Sequence, residues 1–362
     1  MEITARDVDG VDPTYPDAVS EKVTVLPNVA KKLQIILPGE TWLPGSLEGK
    51  TGMPEVWVVD STRTITVQVC DDYWNVTNTN ITATLTTEDP YDTPDPQSIG
   101  ITNGRTFVER NLVTATTDGW RIKVSATGLI EYITPKIVVN PGPPVKLLAV
   151  VPNETYVPGS PTGKIGSVVP QQAGVPFTIT VYITDSRWNL VTSTAALVKV
   201  ETEDPYDVEP SAKSTTNGIA TFDIEFRRGV GEQYTIIVST AAGNELQKYV
   251  TPPIQSNPGA ATKLQILVPG ETAVPGKWDT GGKIGTPRPW YAGELETVVV
   301  NVVDKYWNPV PTVNTTVRLF ATDPFYEAPL DAATTNGTVT IYTSLVTATT
   351  TGWRITASTA PN

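Results

Sequence analysis

A chain of 362 residues with 26 basic and 38 acidic side chains, a net charge of −12 and no histidine leaves out whole classes of function. Nucleic acid and anionic lipid call for basic patches, and without histidine there is no Ser-His-Asp triad, His-bearing zinc site or imidazole acid–base pair. The single Cys70 cannot form an intrachain disulfide, and no apolar run reaches the roughly 18 residues of a membrane-spanning helix.

In chain order, residues 1–28 come first. MEITARDVDG has neither a basic region nor an apolar core, so any secretion signal is expected to have been removed already. Residues 21–28, EKVTVLPN, run straight into VAKKLQIILPGET. From there four motifs recur in fixed order. LPGET (Leu37–Thr41), D-x-x-W-N (Asp71, Trp74, Asn75), Asp89-Pro90-Tyr91 and Asn103-Gly104 form the first set. The second is VPNET (Val151–Thr155), D-x-x-W-N (Asp185, Trp188, Asn189), Asp204-Pro205-Tyr206 and Asn217-Gly218. The third is VPGET (Val268–Thr272), D-x-x-W-N (Asp304, Trp307, Asn308), Asp323-Pro324-Phe325 and Asn336-Gly337. The Asn-Gly pairs lie 114 and then 119 residues apart, which defines a tandem array.

Within each unit the period is two. Ile65, Val67 and Val69 share one face while Thr64, Thr66 and Gln68 share the other. Ile179, Val181 and Ile183, then Val298, Val300 and Val302, repeat the pattern, and alternation resumes after each Asn-Gly. One buried and one solvated face is antiparallel patterning, and no comparable stretch has a helical period. The expected fold is all-β, with three tandem immunoglobulin-like β-sandwich domains at 29–142, 143–259 and 260–362 after the N-terminal segment 1–28. Short Pro-containing junctions, Asn140–Pro144 and Asn257–Ala261, predict a stiff rod.

The stretches FTITVYITDSRWNLV, STTNGIATFDIEF and QYTIIVST resemble the bacterial immunoglobulin-like domains of invasin and intimin type, over most of each repeat. The chain departs from them in two ways. Trp74, Trp188 and Trp307 stand where that family's turn has Gly, and a long PGET…GK excursion follows the first strand. The resemblance implies an extracellular, cell-surface, rod-forming module without catalytic activity.

The Asp and Asn of D-x-x-W-N are expected to fix an exposed turn through side-chain bonds to local backbone, with the Trp packed over a sheet edge or the next domain. The alternative is an aromatic ladder stacking on surface glycans. Glu88, Asp89, Asp92 and Asp95 have counterparts in Glu203, Asp204, Asp207 and Glu209, thinning to Asp323, Glu327 and Asp331, and such loops could supply oxygen ligands to calcium, the one cofactor considered. GSLEGKTG lacks the spacing of a phosphate-binding loop: Gly45 to Gly49 leaves three residues where the motif has four. A carboxylate-pair hydrolase would place its pair in one domain, not echo it three times on exposed turns, so no enzyme is expected. A Lys–Asn isopeptide link from Lys146 or Lys263 has no supporting spacing, and the sequons at Asn75, Asn80, Asn153, Asn314 and Asn336 are ordinary for a Thr-rich chain.

The third repeat follows WRITAS with only TAPN, whereas repeats one and two continue into EYITPKIVVNPG and KYVTPPIQSNPG. Glu21, Lys22, Val23, Thr24, Val25 and Leu26 have the last-strand pattern ahead of the first domain. These residues are read as a donor strand, and the end of domain 3 carrying Trp353, Ile355 and Ala357 as its acceptor in another copy. The partner is then the chain itself, head to tail in a filament or surface layer. A stalk cut from a longer adhesin and a carbohydrate-binding array are the other readings.

Overall fold

The alternation read from the sequence becomes burial. Ile65, Val67 and Val69 are fully buried in one domain, Ile179, Val181 and Ile183 in the next, and Val298 and Val300 in the third. In the computed structural model, residues 1–242, 245–327 and 330–360 are described; Pro361 and Asn362, the end of the WRITASTAPN segment, lie outside them. The chain is all-β, with no α-helix among the described residues, and forms two compact units, Met1–Gly142 and Pro143–Asn362.

In the first unit, domain 1 sets Lys32–Ile36 and Arg105–Arg110 on either side of Arg63–Cys70. Facing this sheet are Gln97–Ile101, Ile81–Thr87, Ile122–Ser125 and Tyr132–Ile133 in that order, all antiparallel. The last strand, Ile137–Asn140, runs antiparallel to Thr116–Trp120 and parallel to Trp57–Val58. It thereby closes one edge of the sandwich, where Ile137 and Val139 enter the core. Ahead of this domain, Thr4–Ala5 pairs with Ala18–Val19 in a small hairpin. Glu21–Leu26, read as a strand, lies outside any strand; Val23 alone makes a reciprocal pair, its amide donating to the Met1 carbonyl and its carbonyl accepting from the Met1 ammonium. A strand needs a paired edge along its length, and among the described residues the backbone-to-backbone bonds of this segment reach only Met1, at the end of the hairpin.

In the second unit, domain 2 repeats the plan. Lys146–Val150 and Ile219–Ile224 flank Phe177–Thr184. Leu197–Thr202, Ile236–Ala242 and Tyr249–Val250 form the facing sheet with Lys213–Ser214. Ile254–Asn257 closes the edge, parallel to Gln171–Gln172 and antiparallel to Gln233–Tyr234. Domain 3 has Lys263–Leu267, Glu296–Val303 and Thr338–Thr343 in one sheet and Leu330–Ala333, Thr316–Ala321 and Ile355–Thr359 in the other. Among its described residues no counterpart of the last two strands is present, and its core is correspondingly thin. Leu33, Ile35, Ile122 and Val124 are buried in domain 1, but their counterparts Leu264, Ile266, Ile355 and Ala357 are only partly covered.

The PGET…GK excursion is a hairpin, pairing Glu40–Trp42 with Lys50–Gly52, and likewise Glu154–Tyr156 with Lys164–Gly166 and Glu271–Ala273 with Lys283–Gly285. An ion pair latches each one, buried in the first two domains and partly open in the third: Glu40 with Lys50 at 2.6 Å, Glu154 with Lys164 at 2.6 Å and Glu271 with Lys283 at 2.8 Å. The Gly-Lys element rejected as a phosphate loop is thus a hairpin fastening.

Candidate functional site

The D-x-x-W-N turn is built by its aspartate. Asp71 Oδ1 accepts from the amides of Tyr73 at 2.9 Å and Asn75 at 3.0 Å, while Asn75 Nδ2 donates back to the same carboxylate. Asp304 does the same for Tyr306 and Asn308. In domain 2, Asp185 Oδ1 accepts from the amides of Arg187 at 2.8 Å and Asn189 at 2.9 Å. Asn189 Nδ2 donates to both oxygens of that carboxylate, at 3.2 and 3.0 Å.

Asn189 also corrects the expectation of an exposed turn. It is buried, with 1% of its surface open, and so is its partner Asp185. The reason is that the two side chains satisfy each other, so the pair can leave water without stranding a polar group. The backbone draws it in as well: Leu190, next along the chain, bridges back to Thr184 at the end of the strand. Asn308 is buried in the same way in domain 3.

These bonds close a turn in which Trp74, Trp188 and Trp307 have φ of 66°, 65° and 68°. That is left-handed backbone, favoured for Gly and costing other residues about 1–2 kcal/mol. Trp thus stands, at all three turns, in a backbone conformation that ordinarily selects Gly. The indole offsets the strain by its packing. A lysine ammonium lies over each ring, Lys32 on Trp74 and Lys146 on Trp188 at 3.4 Å from the centroid, Lys263 on Trp307 at 3.6 Å. The hairpin's glycine packs against the same ring so closely that a Cβ at Gly49, Gly163 or Gly282 would come within 2.2, 2.7 and 2.5 Å of it. Tyr132 and Tyr249 meet Trp74 and Trp188 edge-on at 6.2 Å. These contacts hold each ring against its own hairpin, where it is half-buried.

The acidic loops are spent on protein donors. Asp89 accepts the amides of Val113 at 2.8 Å and Thr114 at 2.9 Å; Asp204 accepts those of Arg227 at 2.6 Å and Arg228 at 2.9 Å. Asp323 holds Val346 at 2.8 Å and Thr347 at 2.9 Å. Burial works to raise the Asp323 carboxyl, yet the Thr347 hydroxyl and these amides outweigh it and bring it down to about 2. Asp92 pairs with the buried Arg110, Asp95 accepts from Thr87, Asp207 and Glu209 from Thr202, and Glu203 from Thr235. Glu88 lies 3.9 Å from Arg121. Burial, assisted by Asp207, Glu201 and Asp204 against the Thr202 bond, pushes Glu209 up to about 7. Among the described residues no group of three or more ligating side chains is arranged around a common point for a metal. Burial likewise pushes the Cys70 thiol up to about 12, which leaves it unreactive.

What sequence reasoning missed is what the turn and the acidic loop do together. Within the second unit, Asp204 fixes a corner at Arg227–Arg228, and Asn308 of domain 3 docks on it: its Nδ2 donates to the Arg227 carbonyl at 2.7 Å and its Oδ1 accepts from Gly229 at 3.0 Å. The Arg227 guanidinium lies between Trp278 and Tyr306, 5.1 and 5.2 Å from their centroids, and Tyr306 donates its hydroxyl to Glu225. Tyr206 packs on Gly276, where an added Cβ would come within 2.7 Å. The linker amide of Gly259 donates to Asp304 at 2.8 Å. The D-x-x-W-N turn of domain 3 is a socket for the end of domain 2. The readable signal was the shared spacing of linker, turn and acidic loop.

In the first unit the linker bond recurs: the Asn28 amide donates to Asp71 at 2.9 Å. Asn28 precedes Lys32 as Gly259 precedes Lys263, four residues before the first strand. Asn28 therefore sits where a junction residue sits, and Val23–Leu26 holds the place of Ile137–Asn140 and Ile254–Asn257.

The predicted acceptor is a groove of about 570 Å³ in domain 3. Trp290 and Tyr291 line one side, at the positions that in domain 2, as Gln171–Gln172, pair parallel with the last strand. Thr349, Thr350, Gly352 and Trp353 line the groove as well, within the positions that in domain 1, as Thr116–Trp120, pair antiparallel with that strand. Ile266, Val268 and Ile355 lie among its lining. Trp353 and Ile355 thus line the groove, whereas Ala357 stands in the ladder opposite Leu319.

No protein-family model and no curated protein matches this sequence. Solved structures similar to it include the FN1–FN3 domains of chicken CNTN1 (11% identity, 92% of this chain and 93% of that one, TM-score 0.28). Domains A168–A170 of titin follow at 10% identity, 84% and 90% coverage and a TM-score of 0.21. Beta-glucuronidase 3 of Bacteroides uniformis is similar at 13% identity and a TM-score of 0.20 over 53% of this chain, which spans only 22% of the length of that enzyme.

Proposed function

We propose that this chain is a structural subunit of an extracellular filament or cell-surface assembly, made of bacterial immunoglobulin-like domains of the invasin and intimin kind. Domain 3 of one copy is completed by Glu21–Leu26 of the next. The observation that carries the proposal is the apolar groove of about 570 Å³ bounded by the positions that hold the last strand in the other two domains. Val23 and Val25 stand in the phase of Ile137 and Val139, and both are exposed, as is Leu26. Burying two or three such side chains contributes roughly 1.5–3 kcal/mol each before the ordering cost. Donor and acceptor lie on different ends of the chain, so the contact is heterologous and propagates into an open filament unless it closes a ring. No catalysis and no cofactor enter this role.

The test is sedimentation of the full chain across a concentration series, beside a variant lacking residues 1–28. Assembly of the full chain, loss of it in the truncation, and capping by a peptide of residues 18–28 support the reading. A truncation that assembles equally well overturns it. A second reading, a stalk within a longer repeat protein, is favoured by the N-terminal hairpin. Its register, Thr4 with Val19 and Ala5 with Ala18, matches Lys123 with Ile133 and Val124 with Tyr132. Residues 1–28 thus carry a strand that domain 3 already has at Ile355–Thr359. Under that reading the completing strand follows on the same polypeptide, and intact-mass measurement of the native protein separates the two.

A further inference from the structure

Domain 1 and domain 3 carry the two open halves of the junction that is closed between domains 2 and 3, and we infer that they dock on each other in successive copies. This rests on the head-to-tail reading above, but on different residues from the strand and its groove. In the closed junction three contacts count: Asn308 on the Arg227 carbonyl and Gly229 amide, Arg227 between Trp278 and Tyr306, and Tyr206 on Gly276. Each has a matched, unjoined pair of positions at the two other faces.

The corner of domain 3 is preformed. Asp323 holds the amides of Val346 and Thr347 as Asp204 holds those of Arg227 and Arg228, so the Val346 carbonyl and Ala348 amide stand where Asn308 finds its partners in domain 2. Val346 replaces Arg227 and is 44% exposed. Its counterparts across the junction, Leu47 for Trp278 and Tyr73 for Tyr306, are 91% and 66% exposed on domain 1. The exchange is chemically consistent: a guanidinium sits between two aromatic rings in one junction, and an isopropyl group meets a leucine and a tyrosine in the other. The third pair also matches. Phe325 replaces Tyr206 and is 71% exposed, while beside Gly45, the counterpart of Gly276, there is open space. The socket of domain 1 is already formed, since Asp71 holds Asn75 and the linker amide of Asn28. The partner for this surface is therefore a second copy of the chain, seated by its domain 3 corner, with Asn75 bridging the Val346 carbonyl and Ala348 amide.

The test pairs assembly with crosslinking in the full chain. Leu47→Asp and Tyr73→Asp change exposed side chains outside the strand and the groove. Each is expected to raise the concentration for half-assembly by roughly tenfold or more, the usual penalty for a central apolar contact. Tyr73→Cys with Val346→Cys is expected to give a ladder of disulfide-linked oligomers on oxidation. If the wild type assembles, the 1–28 truncation does not, and the Asp variants assemble like wild type without a crosslinked ladder, the docking inference is wrong while the donor strand stands. If the Cys pair crosslinks even in the truncated chain, the docking holds and the donor strand fails. A wild-type chain that stays monomeric and uncrosslinked at every concentration overturns both.

Discussion

Lys146 holds its ammonium 3.4 Å from the centroid of the Trp188 indole, and Trp188 itself has a φ of 65°. The two facts belong together: the ring's packing, with Lys146 above it and Gly163 against it, keeps a bulky residue in a backbone region that otherwise selects glycine.

Removing the ring should therefore cost more than restoring the backbone returns. Trp188→Ala and Trp188→Gly are both expected to destabilise domain 2 by about 3–5 kcal/mol. Trp188→Gly should be the milder by about 1 kcal/mol, because it alone relieves the left-handed strain. Denaturant unfolding of the two variants side by side checks the order; an alanine variant as stable as the glycine one would show that the turn stores no strain.

The hairpin latch gives a second expectation. Lys164 and Glu154 are nearly inaccessible, with 9% and 3% of their side chains exposed, whereas 31% of Lys283 is open in the third domain. Losing one partner of a buried pair strands a charge and costs about 3–5 kcal/mol. Lys164→Met should approach that loss, and Lys283→Met should fall well short of it because water screens its pair. Thermal scans of both variants decide it, and equal losses would contradict the exposure argument.

Much of the architecture was legible because its causes are local. Ile65, Val67 and Val69 announce a half-buried strand by alternation alone, and the recurrence of Asp71, Asp185 and Asp304 announces the array. The burial of Asn189 was not legible, because a polar residue in a turn motif reads as solvated until the fold closes it onto Asp185. Nor was the role of Asn308. Its bonds run to Arg227 and Gly229, 81 and 79 residues away, and no pattern within one repeat reports a contact made with the repeat before. Trp74 was expected to pack over a sheet edge or the next domain, but its partners could not be named. Lys32 lies 42 and Gly49 lies 25 residues before it, and only the fold brings them against the ring. The acidic loops read as cation ligands because the amides they accept lie more than twenty residues downstream, as with Asp89 and Val113.

Titration should divide those loops by sign. Glu209 is raised to about 7 from an ordinary 4.5, so the folded state takes up its proton more readily than the unfolded chain. Its contribution is fully present below pH 4.5 and is lost as pH rises through about 7. Asp323 is lowered to about 2, so its contribution is present above its ordinary 3.8 and lost as pH falls through 2. Stability of Glu209→Gln, measured by denaturant at intervals between pH 4.5 and 7, should vary less with pH than the wild type. A parallel pair of curves would exclude Glu209 as the source.

Calcium should leave the protein's stability unchanged. The sequence led to the opposite expectation, with a larger effect in domains 1 and 2 than in domain 3, because Glu88–Asp95 and Glu203–Glu209 hold more carboxylates. In the fold, Asp89 and Asp204 are saturated by backbone amides, Asp92 is neutralised by Arg110, and Glu209 holds its proton toward neutrality. A cation entering either loop would have to displace those donors, and the corner they hold would loosen with them. A ligand that binds only the folded state raises the melting temperature by mass action. Scans in millimolar calcium and in chelator should therefore superimpose; an upward shift with calcium that disappears in Asp89→Asn would restore the loops as a cation site.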